Sequence, residues 1–67
     1  MGRTSDAVEA FIEDAIELWE AGVPLDRVLA QLDVTPGAAA KRFLRRRPEH
    51  PLGREFNRLD IARRRAA

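Results

Sequence analysis

The sequence predicts an all-α domain of three to four helices, and this prediction depends on three observations. Apolar residues recur at intervals of three and four along most of the chain, which is the spacing of one helix face. The prolines and Gly22 interrupt that pattern where helices are expected to begin or end. Apolar and polar residues do not alternate one by one, as they do in a half-buried strand. With 67 residues and no cysteine, the chain is expected to form one domain over 1–67, with a modest core held by packing alone.

The first half of the chain predicts two helices. The first spans about residues 5–21, where an apolar stripe faces away from a row of glutamates and Gly22 provides a stop. Ser5 or Asp6 is expected to cap its start. A second, shorter helix begins near residue 25 and ends near Asp33, because aspartate tolerates the left-handed conformation that a tight turn requires.

The second half predicts two further helices. Thr35 has the hydroxyl of an N-cap, and Pro36 occupies the first helical position, where its missing N–H costs nothing. This helix is expected over 36–47 and is ended by Pro48, since the residue before a proline avoids helical geometry. A fourth helix is expected over about 52–65 and is predicted to fray into the three arginines at its end.

Charge is distributed unevenly between the two halves of the chain. Residues 1–33 carry two cations and eight anions, for a net charge of −6, whereas residues 34–67 carry ten cations and three anions, for a net charge of +7. A basic half of this kind is typical of nucleic-acid binding. The alternative interpretation is that these charges only solvate the outer faces of helices.

Residues 25–46 resemble the DNA-binding helix-turn-helix, in which two helices join through a tight turn and the second reads DNA. The sharpest part of the resemblance is Leu-Asp-Val-Thr at 32–35 followed by a cationic helix. Asp33 stands where the family usually has glycine, and Leu29 stands where it usually has a small residue. The positions that match the inward-facing apolar residues of the motif are Val28, Leu32, Val34, Ala39 and Phe43. The layout of the whole chain is also similar to that of small regulators common in actinobacteria and their phages.

The resemblance implies that the helix over 36–47 enters the major groove. Small residues at its start let the helix approach, Lys41 contacts a base edge or a phosphate, and the arginines clamp phosphates. On this hypothesis the outward-facing residues are Thr35, Pro36, Gly37, Ala40, Lys41 and Leu44. The predicted DNA-contacting set is Thr35, Pro36, Gly37, Ala40, Lys41, Arg42, Arg45, Arg46 and Arg47.

The arginines near the C-terminus have two interpretations. They are either solvated or part of an arm that follows the DNA backbone, and this set comprises Arg54, Arg58, Arg63, Arg64 and Arg65. Ile61 lies off the apolar stripe of the last helix and hints at a second contact surface, such as a dimer interface.

The sequence therefore predicts a sequence-specific double-stranded DNA-binding protein that acts as a transcriptional regulator. It leaves the oligomeric state open between a monomer and a homodimer on paired half-sites, which would multiply specificity because one helix reads few base pairs. The alternative is a small module that binds a partner protein through its acidic helix 5–21. Trp19 on that helix is either core or an interface anchor. DNA binding and protein binding can be distinguished by experiment, because only DNA binding requires the cations of residues 36–47.

An enzyme is not expected. Glu49, His50 and Glu55 are the only candidates for acid–base chemistry, and no nucleophile and base are paired. His50, which lies between two prolines, is expected to be a solvated loop residue. With no cysteine and a single histidine, neither a metal site nor a cofactor is predicted. Because no apolar stretch approaches the roughly 20 residues needed to span a bilayer, the sequence predicts a cytoplasmic protein that does not enter membranes.

Overall fold

The computed structural model describes residues 6–66, and they form four α-helices: α1 (Asp6–Glu20), α2 (Leu25–Leu32), α3 (Pro36–Arg46) and α4 (Pro51–Ala66). The all-helical prediction is confirmed over these residues. The helix bounds agree with the expected ones to within one residue or two. The cap expected at Ser5 or Asp6 lies outside the residues and side chains that the structure describes. None of the four helices is long and apolar enough to cross a membrane.

The turn between α2 and α3 is built by local hydrogen bonds. Asp33 adopts the left-handed conformation, with φ 55° and ψ 55°. Its N–H donates to the Ala30 carbonyl at 3.3 Å, and the Val34 N–H donates to the Leu29 carbonyl at 3.1 Å, which together close the end of α2. The Thr35 hydroxyl then accepts from the Ala38 N–H at 3.2 Å and caps α3. The capped turn predicted from the sequence is confirmed.

The core is centred on Phe43, which is fully buried. Its ring lies 6.1 Å from the Phe11 ring in an edge-on arrangement and 5.7 Å from the Phe56 ring, so three aromatic side chains join α1, α3 and α4. Trp19 is half-buried and packs against this core, as one of its two interpretations predicted. The buried apolar residues are Phe11, Ile12, Ala15, Val28, Leu29, Ala39, Ala40, Phe43, Leu52 and Phe56.

Helices α3 and α4 form a closely packed antiparallel pair. At one end Gly53 lies against α3, and a Cβ added there would lie 3.3 Å from Leu44 Cδ2 and 3.4 Å from Phe43 Cβ. At the other end Gly37 lies against Asp60, where an added Cβ would lie 3.2 Å from Oδ1. Glycine at each of these two positions therefore leaves room for side chains of the other helix.

Two expectations about the C-terminal part of the chain are wrong. The arginines at 63–65 continue α4 as regular helix up to Ala66. His50 is not a solvated loop residue but is half-buried, with its ring 5.6 Å from the Phe43 ring and 5.7 Å from the Trp19 ring. Its Nδ1 accepts a hydrogen bond from the Leu52 N–H at 3.1 Å and so satisfies a free donor in the first turn of α4.

Candidate nucleic-acid interface

The outward side of α3 consists of Ala38, Lys41 and Arg45, which we call the α3 outer face. Lys41 and Arg45 are exposed one turn apart, and Ala38 is half-buried on the same side. The opposite side of the helix is buried and comprises Pro36, Ala39, Ala40 and Phe43. Since successive residues of a helix are rotated by about 100°, the α3 outer face lies roughly a quarter of a turn around the helix from the outward face that the sequence predicted.

The predicted outward orientation of Pro36 and Ala40 is therefore wrong. Pro36 is buried, and only 3% of Ala40 is exposed, because α4 and the core cover that side of α3. Ala40 lies four residues after Pro36 and three before Phe43, so it also fits the apolar stripe of α3. That spacing was the sequence signal for its burial.

Glu9 of α1 holds the two arginines at the C-terminal end of α3. Arg46 Nη1 donates to Glu9 Oε2 at 2.9 Å, and Arg47 Nη2 donates to Glu9 Oε1 at 2.8 Å. The hydrogen bond from Arg46, followed by that from Arg47, holds the pKa of the Glu9 carboxyl below its ordinary value of 4.5. The two guanidinium groups predicted to clamp phosphates are thus engaged by a carboxylate.

The sequence did not indicate that Glu9 belongs to the candidate interface. Glu9 belongs to the same row of glutamates as Glu13, which is exposed, and the spacing within α1 does not separate the two. Its partner Arg46 is 37 positions away along the chain. Only the packing of α1 against α3 shows the contact.

The other three cations of α3 differ in their surroundings. The guanidinium carbon of Arg42 lies 4.9 Å from the centre of the Phe11 ring, a cation–π contact that draws this half-buried side chain toward α1. Lys41 and Arg45 form no ion pair among the residues that the structure describes. A shallow depression of about 270 Å³ lies along this side of α3 and is lined by Val8, Ala38, Lys41, Arg42, Arg45 and Arg46.

A second concavity, which we call the α3–α4 groove, runs between these two helices. It measures about 580 Å³ and includes Leu44 and Ile61, which are 47% and 46% exposed. Thr35 and Gly37 lie at one end of it. The residues that α4 contributes are Asn57, Asp60, Ile61 and Arg64.

The arginines of the predicted backbone arm are all exposed but lie on different sides of α4. Arg64 pairs with Asp60 at 3.3 Å and borders the α3–α4 groove. Arg63 lines a separate groove on the α2 side, together with Leu29 and Leu59, and also borders a depression beside Thr35 and Asp60. Arg54, Arg58 and Arg65 are exposed on the outer surface of α4.

The described part of the chain brings together no group of three or more acidic or histidine side chains that could hold a metal ion. No protein-family model matches the chain, and neither a curated protein nor a solved structure is significantly similar to it. The functional interpretation therefore depends on the geometry and charge of the surface.

Proposed function

We propose that this protein binds double-stranded DNA through the α3 outer face and acts as a transcriptional regulator of the helix-turn-helix kind. The observation that carries this proposal is that Lys41 and Arg45 lie exposed one turn apart on a helix that contains no acidic residue. Two such cations on one helix face suit the phosphates that flank a major groove.

The surroundings of the α3 outer face also favour an anionic ligand. The nearest acidic group on the α4 side is Asp60, which already pairs with Arg64. On the α1 side Glu9 pairs with Arg46 and Arg47. The other acids of α1 are exposed and pair with no cation among the described residues; they are Glu13, Asp14, Glu17 and Glu20. Because Asp60 and Glu9 are already paired, a phosphate that approaches Lys41 would meet little repulsion from these two carboxylates.

The shape of the α2–turn–α3 unit suits insertion. A major groove about 12 Å wide admits one helix, and the residue near its start must be small to allow close approach. Ala38 fills that role on the outer face, in place of the buried Ala40. Because one helix reads few base pairs, we further propose that two copies occupy two half-sites.

The first experiment is fluorescence anisotropy with a labelled random-sequence duplex, titrated at several salt concentrations. We expect the logarithm of affinity to fall with the logarithm of salt, with a slope of about −0.9 for each phosphate neutralised. The variant Lys41→Glu/Arg45→Glu should lose this binding. The matched control is Arg27→Glu/Arg63→Glu, which changes the net charge equally but lies on α2 and on the α2 side of α4.

Two results would contradict the proposal. One is an equal loss of affinity in both double variants, which would mean that only net charge matters. The other is no binding by the unmodified protein even at low salt. In that case the alternative from the sequence applies, in which a partner protein binds the exposed acids of α1, Glu13, Glu17 and Glu20.

A further inference from the structure

The outer surfaces of α3 and α4 form one continuous surface. Gly53 of α4 lies against the Phe43 and Leu44 side chains of α3, and Gly37 of α3 lies against the Asp60 side chain of α4, so the two antiparallel helices are adjacent along this stretch. Between those contacts, Lys41 and Leu44 of α3 share the α3–α4 groove with Asn57 and Ile61 of α4. A ligand that covers Lys41 would therefore also reach α4.

We propose that α4 is a second DNA-contacting helix, which lies along the edge of the groove that α3 enters, where Asn57 and Ile61 reach base edges and Arg54 holds a phosphate. This inference rests on the proposed function, because it assigns additional residues to the same ligand. It replaces the flexible backbone arm expected from the sequence with a rigid helix that contributes to specificity.

The side chains along this part of α4 match the chemistry of a duplex. Asn57 is exposed within the groove, and an asparagine amide can both donate to and accept from the edge of an adenine. Ile61 leaves nearly half of its surface in solvent, as does Leu44, and such apolar groups can contact thymine methyl groups. Polar and apolar reading groups therefore lie side by side.

Arg54 is the cation of α4 that lies next to these residues along the chain. It is exposed one turn before Asn57 and forms no ion pair among the described residues. An arginine beside base-reading residues can reach the phosphates at the edge of a groove.

A second copy of this chain does not suit the same surface. In a symmetric pair built on Leu44 and Ile61, the unpaired cations Lys41 and Arg45 of one copy would lie close to those of the other. Like charges in such a pair oppose association, which favours an anionic occupant. Asn57 and Ile61 are residue types that read bases, which favours DNA over an acidic protein.

Arg63 offers a matched control for Arg54. Both are exposed arginines on α4, but Arg63 lines the groove on the α2 side, near Leu29 and Leu59. Replacing either one by glutamine removes one charge from an exposed position without disturbing the core. A difference between the two variants therefore reports which side of α4 meets the ligand.

The test is the salt-dependent anisotropy titration with Arg54→Gln, Arg63→Gln and Lys41→Gln. We expect Arg54→Gln to weaken binding about five- to tenfold at 0.1 M salt and to make the slope shallower by about 0.9, whereas Arg63→Gln leaves both unchanged. Asn57→Ala should leave the slope of log affinity against log salt unchanged, because it removes no charge. In duplexes selected from a randomised pool, this variant should lower the preference for one base over the others at one position by about tenfold.

Three outcomes would overturn this inference. If Lys41→Gln weakens binding but Arg54→Gln and Asn57→Ala do not, α3 alone contacts DNA and the proposed function survives. If Arg54→Gln and Arg63→Gln weaken binding equally, the effect is one of overall charge. If the unmodified protein binds no duplex, the proposed function and this inference fail together.

Discussion

Asp60 of α4 lies against Gly37 of α3, so close that a Cβ added to Gly37 would be 3.2 Å from Oδ1. The sequence predicts that the α3 backbone approaches DNA at Gly37. In the structure, Gly37 instead lies against the Asp60 side chain of α4. The small residue thus has a packing role, which leads to the first prediction.

Gly37→Ala is expected to raise the free energy of unfolding by up to about 1 kcal/mol, because alanine favours a helix interior. The Asp60 carboxylate, which pairs with Arg64 at the surface, can give way by the few tenths of an ångström needed. Urea unfolding measures the change. In an Asp60→Ala background, Gly37→Ala should raise the free energy of unfolding by at least as much. A clear loss of stability in the single variant would mean that Asp60 cannot move.

The Glu9→Gln variant tests the contact between α1 and the end of α3. The pKa of Glu9 is lowered in the folded protein by the hydrogen bonds from Arg46 and Arg47, so its stabilising effect is present above the ordinary value of 4.5. That effect is lost as the pH falls through the folded pKa. The unmodified protein should therefore exceed Glu9→Gln in stability near neutral pH, and the gap should close below pH 4.5.

Urea unfolding at a series of pH values measures this gap. Glu13→Gln is the matched control, since Glu13 is exposed on the same helix and pairs with no cation among the described residues. A stability difference for Glu9→Gln that does not change with pH would contradict the role of this ion pair.

On the proposed function, Glu9→Gln should also strengthen DNA binding. Removing the carboxylate charge releases Arg46 and Arg47, each of which can then neutralise a phosphate. The salt slope is expected to become steeper by up to about 2 units, since each phosphate contact contributes about 0.9. Glu13→Gln changes the net charge equally and should leave the slope almost unchanged. Equal slopes for the two variants would show that the released arginines do not reach DNA.

His50 is expected to stabilise the start of α4. His50→Ala removes both the Nδ1 acceptor for the Leu52 N–H and the ring that packs on Phe43 and Trp19. Loss of a helix cap costs about 0.5–2 kcal/mol, and the lost packing adds to it. His50→Asn retains an acceptor oxygen, so its stability in urea should lie between that of the unmodified protein and that of His50→Ala. If His50→Ala unfolds at the same urea concentration as the unmodified protein, the cap contributes nothing.

Asp33 is expected to limit stability through its backbone. A left-handed residue with a side chain is strained relative to glycine, by about 1–2 kcal/mol for most residue types and less for aspartate. Asp33→Gly should therefore be neutral or stabilising by up to about 1 kcal/mol, whereas the β-branched variant Asp33→Val should be clearly destabilising. Thermal unfolding of the two variants compares them directly. The opposite order would show that the turn does not depend on this conformation.

The sequence by itself determined the features of this protein that depend on neighbours within one helical turn. The four helices, the Thr35 cap and the left-handed turn at Asp33 all follow from interactions between residues at most five apart. Such interactions require particular residue types at particular spacings, so the chain displays them directly. The apolar stripe likewise placed Phe43 in the core.

Only the tertiary structure decided which side of α3 faces outward and which cations remain unpaired. Gly37, Ala38 and Ala40 are all small, and a small residue is equally acceptable at a surface or beneath a second helix. Their exposure depends on where α4 packs, which local spacing does not encode. Glu9 and Arg46 are 37 positions apart, and their ion pair exists because the core brings α1 onto α3. The surface available to a ligand is therefore a product of packing between distant segments.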